Sequence, residues 1–244
     1  MTFTHKKIKI FKNICNQTKG ERAVSGIGKN PINLYRNIQR YSKKAKHKKL
    51  LSEFRLKEQK MSKLIMEKSD VIAVEIDFQK IVCQPVWQRE KTENNIVKLI
   101  TGLRILDIPI LVSEQYPKGL GETTDLIASA LGKYTPIEKT TFSCLNTEAF
   151  AAALEATGRK TVVIAGIEAH VCVMHTVLHL LESGYQVHVA ADCITSRQEI
   201  DKEIALRRME NAGAVITTWE TVLFELMGSS KAPEFREIQK KLFM

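Results

Sequence analysis

Asp77, Lys139 and Cys172 differ in chemistry, and each falls just past a different expected strand of the 244-residue chain. An acid, an ammonium and a thiol brought together form a workable nucleophilic set. The carboxylate takes the thiol proton and later activates water, and the lysine keeps the carboxylate charged and stabilises a thiolate. The sulfur attacks a carbonyl carbon to give a thioester that water resolves. Around Cys172 the chain reads TVVIAGIEAHVCVMHTVLHLL over residues 161–181. A β-branched run is broken by Gly166, and apolar residues then recur at Val173, Val177, Leu178 and Leu181, a helical spacing. This places Cys172 in the first turn of a helix, where unpaired N–H groups favour thiolate, and so predicts a low-pKa thiol. The competing reading is a small buried hydrophobe in an ordinary strand–turn–helix unit.

The elements that must position these residues follow from periodicity. Buried strands are expected at 71–76, 110–112, 136–138, 162–164, 187–190 and 214–217. Helices are expected at 96–106, 126–131, from Asn146 as N-cap through 156, from Cys172 onward, at 199–211 closed by Gly213, up to Met227, and after Pro233. Strands alternating with helices imply parallel crossovers. The expected fold is therefore an α/β three-layer α/β/α Rossmann-like sandwich around a mainly parallel six-stranded sheet. Ligands bind outside the carboxyl ends of such strands, where Asp77, Lys139 and Cys172 all fall.

The formal net charge of +10 suggests a nucleic-acid or membrane partner until it is divided. Residues 1–60 carry 17 Lys or Arg against 3 acidic residues, a net of +14, whereas residues 61–244 carry 20 against 24, a net of −4. The main domain, 61–244, is mildly acidic, and neither nucleic acid nor membrane is expected to bind it. Residues 1–60 lack apolar periodicity and contain YSKKAKHKKLL, which reads as a basic, poorly ordered extension. It is a mitochondrial targeting segment, a tail for anionic partners, or an upstream extension not made in the cell, with Met61 as the start. The targeting reading aside, the expected location is cytoplasmic. The 5 cysteines form no CxxC pair, which fits a reducing compartment.

Three motifs, EIDFQ with Asp77, EKTTFS with Lys139 and AGIEAHVCV with Cys172, resemble those of the isochorismatase-like cysteine hydrolases. That family includes nicotinamidases and N-carbamoyl amidases. SEQYPKGLG, GYQVHVAADCITSR and FREIQK are similar to one subgroup, the isochorismatase-domain-containing proteins, whose substrate is unsettled. The resemblance spans residues 71–242. It implies a catalytic triad of Asp77, Lys139 and Cys172, a cis peptide at Ile167–Glu168, and an oxyanion hole formed by the N–H groups of Glu168 and Cys172. Metal-binding nicotinamidases carry Asp-x-His-x-x-x-His where this chain has SEQYPKGLGET, so no metal and no cofactor is expected. Vinyl-ether-cleaving isochorismatases commonly lack the cysteine, and its presence turns the expectation towards amides and related C–N carbonyl substrates.

Gln79, Gln115, Tyr116, Phe142 and Val171 are candidates for the substrate pocket through their proximity to the motifs. His170, His175 and His179 lack the intervening acid of a zinc-binding helix and read as structural. Arg197 and Asp192 are expected to organise the loop after the fifth strand. The partners expected are a small-molecule substrate and further copies of the chain, through Phe235, Ile238 and Leu242 of the terminal helix. Alternatives to the amide hydrolase are a catalytically idle module acting through protein contacts and a vinyl-ether hydrolase.

Overall fold

The computed structural model describes residues 65–244. The expectations for residues 1–60 and for a boundary at Met61 lie outside the described residues. In chain order the elements are β1 (Val71–Ile76), α1 (Arg89–Ile105), β2 (Ile110–Gln115), α2 (Pro117–Leu120), α3 (Asp125–Leu131), β3 (Ile137–Lys139), α4 (Glu148–Ala156), β4 (Thr161–Ile167), α5 (Met174–Glu182), β5 (Gln186–Thr195), α6 (Glu199–Ala212), β6 (Val215–Thr217), α7 (Trp219–Met227) and α8 (Phe235–Leu242). The six strands are all parallel, in the order β3-β2-β1-β4-β5-β6. β1 and β4 are buried along their whole length, which is why their sequences run apolar without alternation.

Alternation along β1 feeds two cores. Val71 and Ala73 face one cluster with Leu99, Leu103, Val112 and Ile127. Ile72, Val74 and Ile76 face the other, with Phe150, Leu154, Val177 and Leu180. Strand order reverses between β1 and β4, so the carboxyl ends of these two neighbours flank the crevice where doubly wound sheets take ligands. Here Ile76 pairs with Gly166. A Cβ at position 166 would lie 2.1 Å from the Ile76 carbonyl oxygen, and φ there is +121°. Only glycine allows this approach.

Several boundaries differ from expectation for physical reasons. α1 begins at Arg89 instead of 96, because its first turns bury polar Thr92 and Glu93 and so leave no apolar periodicity. β5 continues to Thr195 because a register shift between Ile164 and Gly166 lets Ile194 and Thr195 pair with β4. Thr147, not Asn146, is the N-cap of α4, because Asn146 ends a short 3-10 turn, Cys144–Asn146. The apolar face of α8 is already used within the chain: Ile238 is fully buried and Leu242 packs against the same core. That helix therefore does not offer the free face expected of an interface. No helix among the described residues is long and apolar enough to cross a membrane.

Candidate active site

Asp77 is the first residue after β1 and adopts φ +52°, a left-handed turn that swings it out of the strand direction. Its N–H donates to the Ser113 carbonyl at 3.1 Å, and its own carbonyl accepts from Gln79 N–H at 2.8 Å, which fixes the turn. Lys139 is the last residue of β3, not the residue after it. Its Nζ donates to Asp77 Oδ2 at 2.5 Å, Gln115 Oε1 at 2.7 Å and the Thr141 carbonyl at 3.3 Å, which uses all three ammonium protons. Ser113 Oγ donates to the other Asp77 oxygen at 2.7 Å. The Asp77 carboxylate also acts on the buried Cys172 thiol. The structure thus brings Asp77, Lys139 and Cys172 together, exposed by only 2, 4 and 7%.

Burial alone would lower the Lys139 pKa, but the charges of Asp77 and the neighbouring thiols outweigh it, and the net shift is upward. Cys172 behaves otherwise than its sequence position implies. Burial first, and the Asp77 carboxylate second, push its thiol up to about 12, against a smaller downward pull from Lys139. The expected low-pKa thiol is corrected accordingly. The helix N-terminus does not supply the anticipated effect because Cys172 lies within a π-turn, Ala169–Val173, ahead of α5. Two of the N–H groups there, those of Val171 and Val173, are already directed at the Glu168 carbonyl, at 3.0 and 3.2 Å. The Ile167–Glu168 peptide bond is cis, as the resemblance implies. The Glu168 carboxylate accepts from Arg197 Nε at 2.8 Å, which places Arg197 beside this turn. Asp192 instead accepts from the Trp219 N–H at 3.0 Å.

The pocket candidates separate into two groups. Gln79 is fully buried and bound to backbone: its Oε1 accepts from Gln115 N–H at 2.8 Å, and its Nε2 donates to the carbonyls of Gln115 and Gly121. Gln115 holds Lys139 and donates to the Thr140 carbonyl at 3.1 Å. Tyr116 and Phe142 are exposed, and the Phe142 ring lies 6.1 Å from that of His175. Val171 is half-buried, with its carbonyl 2.7 Å from His175 Nδ1. A cleft of about 480 Å³, lined by Tyr116, Lys118, Thr141 and Thr147, reaches Lys139 but neither Asp77 nor Cys172. Open space therefore lies beside this cluster, on the lysine's side.

Sequence reasoning missed Ser113 and read Cys144 only as a core or pocket-wall residue. Ser113 braces Asp77, and the buried Cys144 donates its S–H to Ser113 Oγ at 3.5 Å. Burial, then Asp77, raises the Cys144 thiol to about 11. Nothing in the residue types marks either one, since a serine in a strand and a cysteine in a turn are commonplace. The histidines go separate ways: His170 Nδ1 meets Ser196 Oγ and His179 Nδ1 meets Ser143 Oγ, each at 2.9 Å. Among the described residues no group of three or more His, Cys, Asp or Glu is arranged to hold a metal ion.

Fold and site together define a Rossmann-like α/β protein with a buried thiol–carboxylate–ammonium cluster at the carboxyl edge of its sheet. Residues 71–221 match the family described as Isochorismatase domain, and the chain belongs to this isochorismatase-fold hydrolase family. It is similar to Isochorismatase domain-containing protein 1 of Salmo salar, at 45% identity over 142 residues, 58% of this chain and 50% of that protein. The chain thus spans half the length of that relative. Among solved structures it is similar to the MAR1 ribonuclease of Caenorhabditis elegans, with a TM-score of 0.69 and 36% identity, covering 74% of this chain and 93% of that one. YcaC from Pseudomonas aeruginosa, solved with hexane-2,5-diol and covalent acrylamide, gives a TM-score of 0.68 and 25% identity, covering 72% of this chain and 90% of that one.

Proposed function

We propose that the protein hydrolyses a small carbonyl substrate, an amide or related C–N bond, by covalent catalysis at Cys172. The observation that carries this reading is the joint burial of Lys139, Asp77 and Cys172, with the ammonium bound to the carboxylate and the carboxylate acting on the thiol. At neutral pH Cys172 rests as a thiol, so its proton must pass to Asp77 as the sulfur attacks the carbonyl carbon. Lys139 remains an ammonium throughout and holds the carboxylate in place. The oxyanion is met by the N–H groups of Glu168 and Cys172. Collapse breaks the C–N bond, the proton on Asp77 goes to the leaving amine, and a thioester remains. Water then attacks the thioester, giving its proton to Asp77. Collapse releases the acid, and the proton returns to sulfur. The covalent acrylamide on the Pseudomonas relative supports a reactive nucleophile in this fold. The modest cleft beside Lys139 favours a small substrate.

The test is a panel of small amides, ureas and RNA, with intact-mass trapping of the acyl-enzyme. RNA is included because one similar structure is named a ribonuclease. Cys172→Ala, Asp77→Asn and Lys139→Ala should each lower turnover by roughly 10³-fold or more while leaving the melting temperature measurable. The losses should not add, because the three act as one unit. Full turnover by Cys172→Ala would exclude the thioester and favour vinyl-ether chemistry. Cleavage of RNA alone would overturn the substrate class.

A further inference from the structure

Behind the triad, on the other face of the sheet, lies a carboxyl that the mechanism does not use. Glu75 precedes Asp77 by two residues on β1, shares the face of Val71 and Ala73, and is 1% exposed. Three carboxyl groups meet in this region, and their partners differ. Asp77 has the Ser113 hydroxyl and the Lys139 ammonium. Glu114 on β2 accepts from both Thr123 N–H and Thr123 Oγ, each at 2.8 Å. Glu75 has a single donor, the Phe78 N–H at 3.2 Å on Oε1, and its Oε2 is buried without a partner. A carboxylate with one bare oxygen in the interior is costly, so this is the carboxyl that carries a proton. Its one bond spans the left-handed turn, from the residue before Ile76 to the residue after Asp77.

We propose that Glu75 is a positioning residue for Asp77: its neutral carboxyl clasps the Phe78 N–H across the turn and holds the Asp77 carboxylate between Ser113 and Lys139 without adding a second negative charge. The groups that act on Glu75 agree. Burial, and then Asp77, raise it to about 8, with Glu114 adding to the rise and the Phe78 N–H and Lys139 opposing it. Tyr134, in the segment ahead of β3, also feels its charge. β4 sets Ala165 opposite it, and Glu93 on the buried face of α1 acts on Cys83. As Glu75 ionises near pH 8, its charge repels the Asp77 carboxylate across the turn and disfavours the thiolate that attack requires, so turnover falls.

This consequence for turnover rests on the thiol-hydrolase reading; the charge state of Glu75 does not, and the experiment separates the two. Glu75→Gln is neutral at every pH and keeps an oxygen for the Phe78 N–H. Glu75→Leu removes that oxygen. On a substrate from the panel, Glu75→Gln should hold kcat/KM at pH 7 within about threefold and lose the alkaline fall near pH 8. Glu75→Leu should lower kcat by about tenfold or more at unchanged or higher melting temperature. Melting supplies the second readout. A carboxyl whose folded pKa is raised from 4.5 to about 8 costs stability increasingly as pH climbs between those values, and by a constant amount above them. The melting temperature of Glu75→Gln relative to the parent should therefore rise from pH 5 to 8 and then level. A gap independent of pH, an alkaline fall that persists in Glu75→Gln, or a parental profile in Glu75→Leu would each overturn the proposal. Full turnover by Cys172→Ala would instead remove the reading it builds on and leave the melting series to report the charge.

Discussion

Cys172 is held by opposing influences whose sizes decide its resting state. Lys139 pulls the thiol pKa down, but burial and the adjacent carboxylate push it up further, to about 12. On the proposed mechanism the sulfur becomes a nucleophile only as its proton passes to Asp77. Alkylation of Cys172 by iodoacetamide, followed by mass spectrometry, should accelerate steadily with pH up to about 10 without a plateau. A plateau setting in below about 8.5, the value for a free thiol, would show that the helix N-terminus governs the sulfur after all. At this scale the sequence was informative where a polar residue ends a largely apolar run, as Asp77 does. It was silent where a polar residue lies inside a strand. Ser113 and Glu75 are indistinguishable by type from solvated residues until the neighbouring strands cover them.

The hairpin-tight contact between β1 and β4 is the element on which the site turns. The Ile76 backbone fits against Gly166 only because position 166 has no side chain. Asp77 leaves β1 immediately beyond that contact, and the cis peptide and π-turn leave β4 beyond it. Gly166→Ala should therefore separate the strand ends or prevent folding. The expected outcome is insoluble protein, or a soluble chain melting at least about 10 °C lower with no measurable turnover. A soluble variant with the parental melting temperature would show that the two strands can part without cost. The strands themselves were legible because fully buried parallel strands read as continuous apolar runs. The π-turn was not. Its wider hydrogen-bonding step leaves no periodic mark over five residues, and AHVCV reads equally well as the start of an α-helix. The extension of β5 was hidden for a related reason, since a register shift admits residues that periodicity would assign to a loop.

Over the whole described molecule, the three strands that lead to Asp77, Lys139 and Cys172 are not equally secure. β1 and β4 sit in the middle of the sheet, each held on both sides, whereas β3 is its edge, three residues long and paired with β2 alone. Lys139 is therefore carried by the strand with the least to lose on opening. Proteins open locally before they unfold, and here the first part to open would take the ammonium away from Asp77 while both cores stay packed. Thermal inactivation would then be a local event with its own, lower, threshold. Deuterium uptake followed by peptide mass spectrometry should show 137–139 exchanging well ahead of 71–76 and 161–167. The temperature of half-inactivation in a brief incubation should fall below the calorimetric midpoint, and activity should return on cooling. Simultaneous exchange of all three strands, with inactivation coinciding with the melt, would mean that the edge is clamped as firmly as the centre.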